Sequence, residues 1–243
     1  MKKLILFIFT IAVLPLSAQQ TMTPELLWKL GRVSIDDVSA DGKSILYGVT
    51  YYDLVANKGT RNLYLYHEID GKPVIDQVTK EDKSVHNGVL MPGGGVGFLQ
   101  KGQWYIVNSN GDKIKKTDIA GGISNVVYNN DFSRVFYTAD VKTGKTTLDK
   151  YPKYTKSNVR IIDDLMYRHW DHFEDEMSSH AFWATLDANG SFNEGVDVMS
   201  GEPFETPLQP FAGAEQLAWS PDGQTLAYTS KKKVGYEYAK STN

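Results

Sequence analysis

The sequence predicts an all-β fold on three observations. Short runs of aromatic and β-branched residues alternate with turn residues along the chain, a pattern of many short strands rather than amphipathic helices. One turn recurs with its apolar flanks, as Val38-Ser39-Ala40-Asp41-Gly42-Lys43-Ser44-Ile45-Leu46-Tyr47 and as Trp219-Ser220-Pro221-Asp222-Gly223-Gln224-Thr225-Leu226-Ala227-Tyr228. At 243 residues and 41% hydrophobic, the chain is long enough to bury a large core.

The first element is an address. Lys2 and Lys3 precede the apolar run Leu4 to Leu14, and Leu16-Ser17-Ala18 closes it with the small residues a signal peptidase needs, so 1–18 reads as a secretory signal peptide and 19–243 as the mature chain. That run is shorter than the roughly 20 apolar residues that span a bilayer. Secretion into a bacterial periplasm is the expected destination, with no membrane attachment after cleavage.

The repeat follows. Asp-Gly suits a tight hairpin because glycine accepts positive φ without steric cost. Two weaker copies, Leu90 to Phe98 and Val127 to Tyr137, stand between the strong ones, so anchors at Asp41, Pro92, Asp131 and Asp222 are spaced by 51, 39 and 91 residues. Further apolar runs follow the anchors, Leu63-Tyr64-Leu65-Tyr66 with Val74-Ile75 and Trp104-Tyr105-Ile106-Val107 with Ile114. Four strands recurring at roughly 40 to 50 residues are the signature of a β-propeller blade. The expectation is a partial propeller of about three complete four-stranded blades plus the start of a fourth. Such an open fan leaves raw edges, which suggests the N-terminal part of a longer protein.

The 91-residue gap places an insertion at about 140–179, between the second and third strands of the third blade. Long insertions in compact repeats are usually functional or disordered.

Composition removes several chemistries. A formal charge of −3 gives no basic field for nucleic acid. The absence of cysteine excludes disulfides, thiolate metal sites and cysteine nucleophiles. No G-x-S-x-G occurs, since the stretches around Ser44 and Ser124 both lack the final glycine. Gly93, Gly94, Gly95 and Gly97 form no dinucleotide fingerprint and fall where a hairpin turn is expected. No catalytic residue, metal or cofactor is therefore assigned, and Lys231-Lys232-Lys233 reads as a solvated segment.

The chemically dense stretch is Asp163 to Glu176 within the insertion. Three readings stay open. Leu165, Met166, Trp170 and Phe173 could pack the insertion down while the charges face water. His169, His172 and a carboxylate could hold a metal. Carboxylates walled by aromatics could recognise a substrate cation. The candidate substrate-binding residues are Arg168, His169, Asp171, Glu174, Asp175 and Glu176.

The leader, the opening Thr23 to Ser34, the Ser39 to Lys43 turn and the Asp164-Leu165-Met166-Tyr167-Arg168-His169-Trp170-Asp171 run resemble the N-terminal propeller of secreted bacterial serine peptidases of the prolyl-oligopeptidase family. The resemblance covers essentially the whole mature chain. It implies a C-terminal α/β-hydrolase domain, carrying the catalytic Ser, Asp and His, as the propeller's partner, and short peptides as substrates. The implied activity is removal of dipeptides from peptide N-termini. The propeller would filter access, and acidic side chains of an insertion would hold the substrate's α-amine, a role that Glu174, Asp175 and Glu176 could fill. The alternative is a periplasmic propeller that binds without catalysis.

Overall fold

A computed structural model describes residues 21–163, 167–169, 172–173, 176–209 and 211–232; of His169 and His172 it describes the backbone. The leader lies outside these residues.

The described chain opens with a short helix, α1 (Pro24–Lys29). Its start is written locally: the Thr23 hydroxyl accepts from Leu26 N–H at 3.2 Å, and Pro24 occupies the first turn, where its missing N–H costs nothing. Three four-stranded antiparallel meanders follow in chain order. The first sheet comprises β1 (Arg32–Val38), β2 (Ile45–Asp53), β3 (Lys58–Ile69) and β4 (Lys72–Gln77). The second comprises β5 (His86–Leu90), β6 (Val96–Gln100), β7 (Gln103–Val107) and β8 (Lys113–Lys115). In the third, β9 (Ser124–Tyr128) and β10 (Arg134–Lys142) are separated from β13 (Met177–Thr185) and β14 (Val196–Asp197) by an excursion bearing the small ribbon β11 (Arg168–His169) and β12 (His172–Phe173). A hairpin of β15 (Leu217–Trp219) and β16 (Leu226–Tyr228) closes the described part. The all-β expectation holds.

The recurrent turn is wider than a tight Asp-Gly hairpin. Ser39 N–H donates to the Ser44 carbonyl at 2.9 Å, and only Gly42 takes positive φ, at 70°. The Asp41 carboxylate fills the loop, accepting from the Ser39 hydroxyl at 2.7 Å and from Lys43 N–H at 3.1 Å. Ser220 to Thr225 repeats this closure around Asp222. Asn129 to Arg134 repeats it around Asp131, but there Phe132 stands in the left-handed position at φ 56°. The carboxylate, more than the glycine, defines the device, because its bonds satisfy loop N–H groups that the strands do not reach.

The sheets stack face to face in chain order. Leu46 and Leu63 of the first meet Val96 and Phe98 of the second. On the other face of the second, Leu99 and Trp104 meet Val126, Val135, Tyr137 and Ala184 of the third. Phe136 and Ala181, on the third sheet's far face, meet Leu217, with Trp219 and Leu226 packed alongside. Alternation along each strand thus feeds two interfaces, as a sheet covered on both sides requires. Fully burying a side chain such as Phe98 or Phe136 contributes about 2–3 kcal/mol, against about 1 kcal/mol for a polar link. Apolar contact therefore holds the stack, and polar links set its register.

Those links join the first strand of each sheet to the first strand of the next or to the segment leading into it. Asp36 and Asp37 accept from the N–H groups of Gly88 and Leu90, each at 2.8 Å, so β1 and β5 run side by side in one direction. Asn87 bonds Val126, Asn125 donates to the Ala212 carbonyl at 3.1 Å, and Trp219 Nε1 donates to Val127 at 3.1 Å. Asn87 and Asn125 both sit at bulges with positive φ, where the ladder is broken and the backbone is free to be met from the neighbouring sheet. With the sheets in this common sense, the β2–β3 and β6–β7 connections and the excursion gather at one end, and the Asp turns at the other.

The excursion is narrower than 140–179. β10 and β13 stay paired from Arg134↔Thr185 to Lys142↔Met177, so Asp140–Lys142 and Met177–Ser179 belong to the strands and the connection runs from 143 to 176. These flanks carry Asp140, Lys142, Ser178 and Ser179, which hide the strand from an apolar pattern even though backbone pairing continues.

Candidate functional site

At the neck of the excursion, Thr143 N–H donates to the Glu176 carbonyl at 2.9 Å, carrying the β10–β13 ladder one step further. Gly144 follows, and a Cβ there would lie 2.9 Å from Glu176 Cγ, so glycine is what lets the Glu176 side chain lie against the backbone. Thr146 then starts α2 (Thr147–Lys150) with a reciprocal cap. Its hydroxyl accepts from Asp149 N–H at 3.3 Å, and the Asp149 carboxylate accepts from Thr146 N–H at 2.8 Å. Lys142 pairs with the same carboxylate; Lys142 first, and then Thr146, hold the Asp149 carboxyl down at about 2. The Thr147 hydroxyl accepts from Ile161 N–H at 3.0 Å, folding the returning chain over the helix.

This arrangement frames an open cavity of about 760 Å³. Leu148, Tyr151, Tyr154, Val159 and Ile161 form apolar walls, and Arg160 and Glu176 supply charge. The Arg160 guanidinium lies 4.7 Å over the Phe173 ring, and Lys150 Nζ lies 3.9 Å from Glu176 Oε1. A partly buried carboxylate beside apolar walls can take a cationic group attached to an apolar one, since reduced solvent screening strengthens a charge-assisted hydrogen bond.

Of the residues singled out in the sequence, Glu176 lines this cavity. Arg168 and His169 form β11, paired with Phe173 and His172 of β12, and Arg168 is exposed. Asp171, Glu174 and Asp175 lie outside the described residues. Among the described residues no three His, Asp or Glu side chains converge as metal ligands, and the alternative drawn from His169 and His172 rests on side chains outside that description.

A second cavity, of about 710 Å³, opens at the same end between the starts of the inner strands, with Asp36, His86, Asn87, Lys101, Asn125 and Glu215 on its walls. Behind it lies an ion pair that the sequence analysis missed. Arg61 pairs with Asp36 and donates to the Ser34 hydroxyl at 2.9 Å and the Val85 carbonyl at 3.1 Å. Partial desolvation, and then the Arg61 charge, push the His86 imidazole below its ordinary value. Two signals in the sequence mark this place. Asp36-Asp37 interrupts the apolar Ile35 and Val38, and Gly48 interrupts Tyr47 and Val49, where a strand glycine signals close approach of another group.

No family model matches the chain. Two curated relatives named dipeptidyl-peptidase 5 do. That of Porphyromonas gingivalis is 37% identical over 227 residues, which cover 91% of this chain and 33% of the relative. That of Porphyromonas endodontalis is 33% identical over 233 residues, covering 93% of this chain and 33% of the relative. Among solved structures, an uncomplexed Pyrococcus horikoshii acylaminoacyl peptidase is 14% identical with a TM-score of 0.48, covering 70% of this chain and 25% of that one. An acylaminoacyl peptidase in complex with Z-Gly-Gly-Phe-chloromethyl ketone is 14% identical with a TM-score of 0.47, over 68% and 24%. The chain spans about a third of the length of the curated relatives it matches. The family likeness expected from the sequence is borne out by these relatives.

Proposed function

We propose that this relative of dipeptidyl-peptidase 5 is the propeller portion of a secreted serine exopeptidase that removes dipeptides from peptide N-termini. In this reading the three meanders and the β15–β16 hairpin are blades of one ring. Catalysis belongs to an α/β-hydrolase domain elsewhere in the full-length protein, and the leader at 1–18 directs export to a bacterial periplasm. The observation that carries the reading is the identity of 37% along nine-tenths of the chain to a protein of that name. Sheets stacked in chain order, with parallel inner strands, support the ring.

The role follows from physical constraints on such a ring. Both cavities and the excursion lie at one end of the stack, so a peptide approaching there meets the apolar walls of the excursion and the Glu176 carboxylate. An ammonium group at a peptide's N-terminus fits a carboxylate backed by apolar walls, and a narrow approach favours short peptides over folded proteins.

The reading frame past Asn243 and a release assay test this together. The full-length protein should liberate dipeptides from dipeptidyl fluorogenic substrates in an N-terminus-dependent manner, and residues 19–243 alone should liberate none. A frame that closes after a few more repeats without a hydrolase domain, in a protein that binds peptides without cutting them, would establish a binding module instead.

A further inference from the structure

The excursion carries a charge distribution that the whole-chain count conceals. Residues 142–160 hold six of the chain's 26 Lys and Arg but one of its 29 Asp and Glu. Lys142 pairs with that one carboxylate, Asp149, and Lys150 stands 3.9 Å from Glu176. Among the described residues, Lys145, Lys153 and Lys156 have no carboxylate partner, and all three are exposed. Cations left over in this way create a local positive field on a chain that is acidic elsewhere.

Local backbone geometry sets that field beside the cavity. After α2, Tyr154 N–H donates to the Tyr151 carbonyl at 3.1 Å, and Ser157 N–H donates to the Tyr154 carbonyl at 2.9 Å. Turns of this kind repeat every three residues. Tyr151, Tyr154 and Ser157 share the cavity wall for that reason, and the same spacing carries Lys153 and Lys156 in a second row next to it. Leu148, Tyr154 and Val159 also line the cavity, and they are 50%, 64% and 59% exposed. An exposed apolar surface edged by uncommitted cations fits a ligand that brings both apolar groups and carboxylates.

We infer that the excursion recognises carboxylates on peptides, with Lys153 and Lys156 as the receiving row and Lys145 adding to the field. With the peptide amine at Glu176, inside the cavity, the row beside it meets residues further along, so the carboxylates are acidic side chains beyond the first two residues or the C-terminus of a short peptide. Two observations favour a peptide over an anionic bilayer as the occupant. The apolar walls form a cavity, which a flat surface does not fill. Outside the segment lie 28 of the 29 Asp and Glu, so the rest of the chain is repelled by an extended anionic sheet. The inference rests on the peptidase reading and adds to it a second feature of the substrate.

Dipeptide release by the full-length protein from three peptides tests it: Ala-Ala-Asp-Asp-Ala amide, Ala-Ala-Asn-Asn-Ala amide, and the free acid of the second. At low salt the Asp peptide should have a kcat/KM about 10-fold above that of its Asn counterpart, and the free acid about 2-fold above its amide, as exposed charge contacts allow. Both ratios should fall towards unity at about 1 M salt, where the Debye length is about 3 Å. Lys153→Gln combined with Lys156→Gln should cut the first ratio to about 2. Lys43→Gln combined with Lys72→Gln, an equal change of charge at exposed positions in and beside the first sheet, should leave it intact. Equal rates for the three peptides in the parent would overturn the inference, as would the same loss of preference in both double variants. Binding to phosphatidylglycerol vesicles that the Lys153, Lys156 variant abolishes, without any preference among peptides, would assign the patch to a membrane surface and overturn it too. If none of the peptides yields a dipeptide, the proposed activity fails on its own, and isothermal titration of the same intact peptides still decides carboxylate recognition by the same ratios.

Discussion

The side-chain amide of Asn87 closes on the backbone of Val126 from both directions: Oδ1 accepts from Val126 N–H at 2.6 Å, and Nδ2 donates to the Val126 carbonyl at 3.0 Å. One side chain thereby does for two sheets what a ladder rung does for two strands. Asn87 itself stands at φ 53°, a conformation asparagine tolerates better than most residues.

Asn87→Ala removes both bonds and keeps a Cβ in the left-handed region, so the expected loss is about 2–3 kcal/mol in urea unfolding. Asn87→Gly removes the same bonds but relaxes the backbone, and should recover about 1 kcal/mol of that loss. Equal midpoints for the two variants would mean that the bulge carries no strain.

Gly48 and Arg61 form one unit. A Cβ on Gly48 would lie 1.9 Å from Arg61 Cζ, so Gly48→Ala must expel the guanidinium from Asp36, Ser34 and Val85. The Asp36 side chain, 7% exposed, would keep its bond from Gly88 N–H but lose its counter-ion. Breaking a buried pair in this way costs about 3–5 kcal/mol. Arg61→Ala should cost a similar amount, and the double variant little more than either, so that the coupling is nearly as large as one single loss, about 3–5 kcal/mol. Additive losses in the double-mutant cycle would show that the glycine matters for another reason.

What was legible in the sequence follows the range of the forces. The Asp41 and Asp222 turns are local, because carboxylate, hydroxyl and loop N–H groups lie within a few residues, and the sequence analysis found them. The α1 cap is equally local, with Thr23-Pro24-Glu25 carrying its signal, yet the helix was not read from it. Phe132 carries no local signal for its conformation, since its positive φ is imposed by loop closure between Asn129 and Arg134 and not by its own preference. The Arg61–Asp36 pair joins residues 25 apart and depends on the registers of β1, β2 and β3 together, which no short motif encodes. In the excursion, of the acidic stretch 163–176 the described structure brings Glu176 to the cavity; the walls come from Leu148, Tyr151 and Tyr154, which the motif did not include.

Asp149 gives a pH dependence of known sign. Its folded-state carboxyl is held at about 2 by Lys142 and Thr146, below the ordinary value of 3.8. A depressed carboxyl contributes its stabilisation fully above the ordinary value and loses it as pH falls through the folded one. The order of the α2 cap should therefore persist at pH 5 and fade between about 4 and 2. A side-chain carboxyl titration of Asp149 by NMR should show the low midpoint, and Lys142→Met should raise it; a midpoint at the ordinary value in the parent protein would remove the pairing.

The last prediction separates a binding role for Glu176 from a packing one. Lys150 Nζ already stands 3.9 Å from Glu176 Oε1, and a substrate ammonium arriving at that carboxylate would compete with it. If Glu176 receives the peptide amine, Glu176→Gln in the full-length protein should raise KM about 10-fold, as expected for losing a charge-assisted bond in favour of a neutral one. Lys150→Met should move KM the other way, because it removes the competing cation while leaving the carboxylate in place. A role confined to packing the neck predicts no such opposition, since the side-chain charge is not required for the Thr143 N–H bond to the Glu176 carbonyl. Both variants leaving KM unchanged, with unfolding midpoints equal to the parent's, would take Glu176 out of substrate recognition.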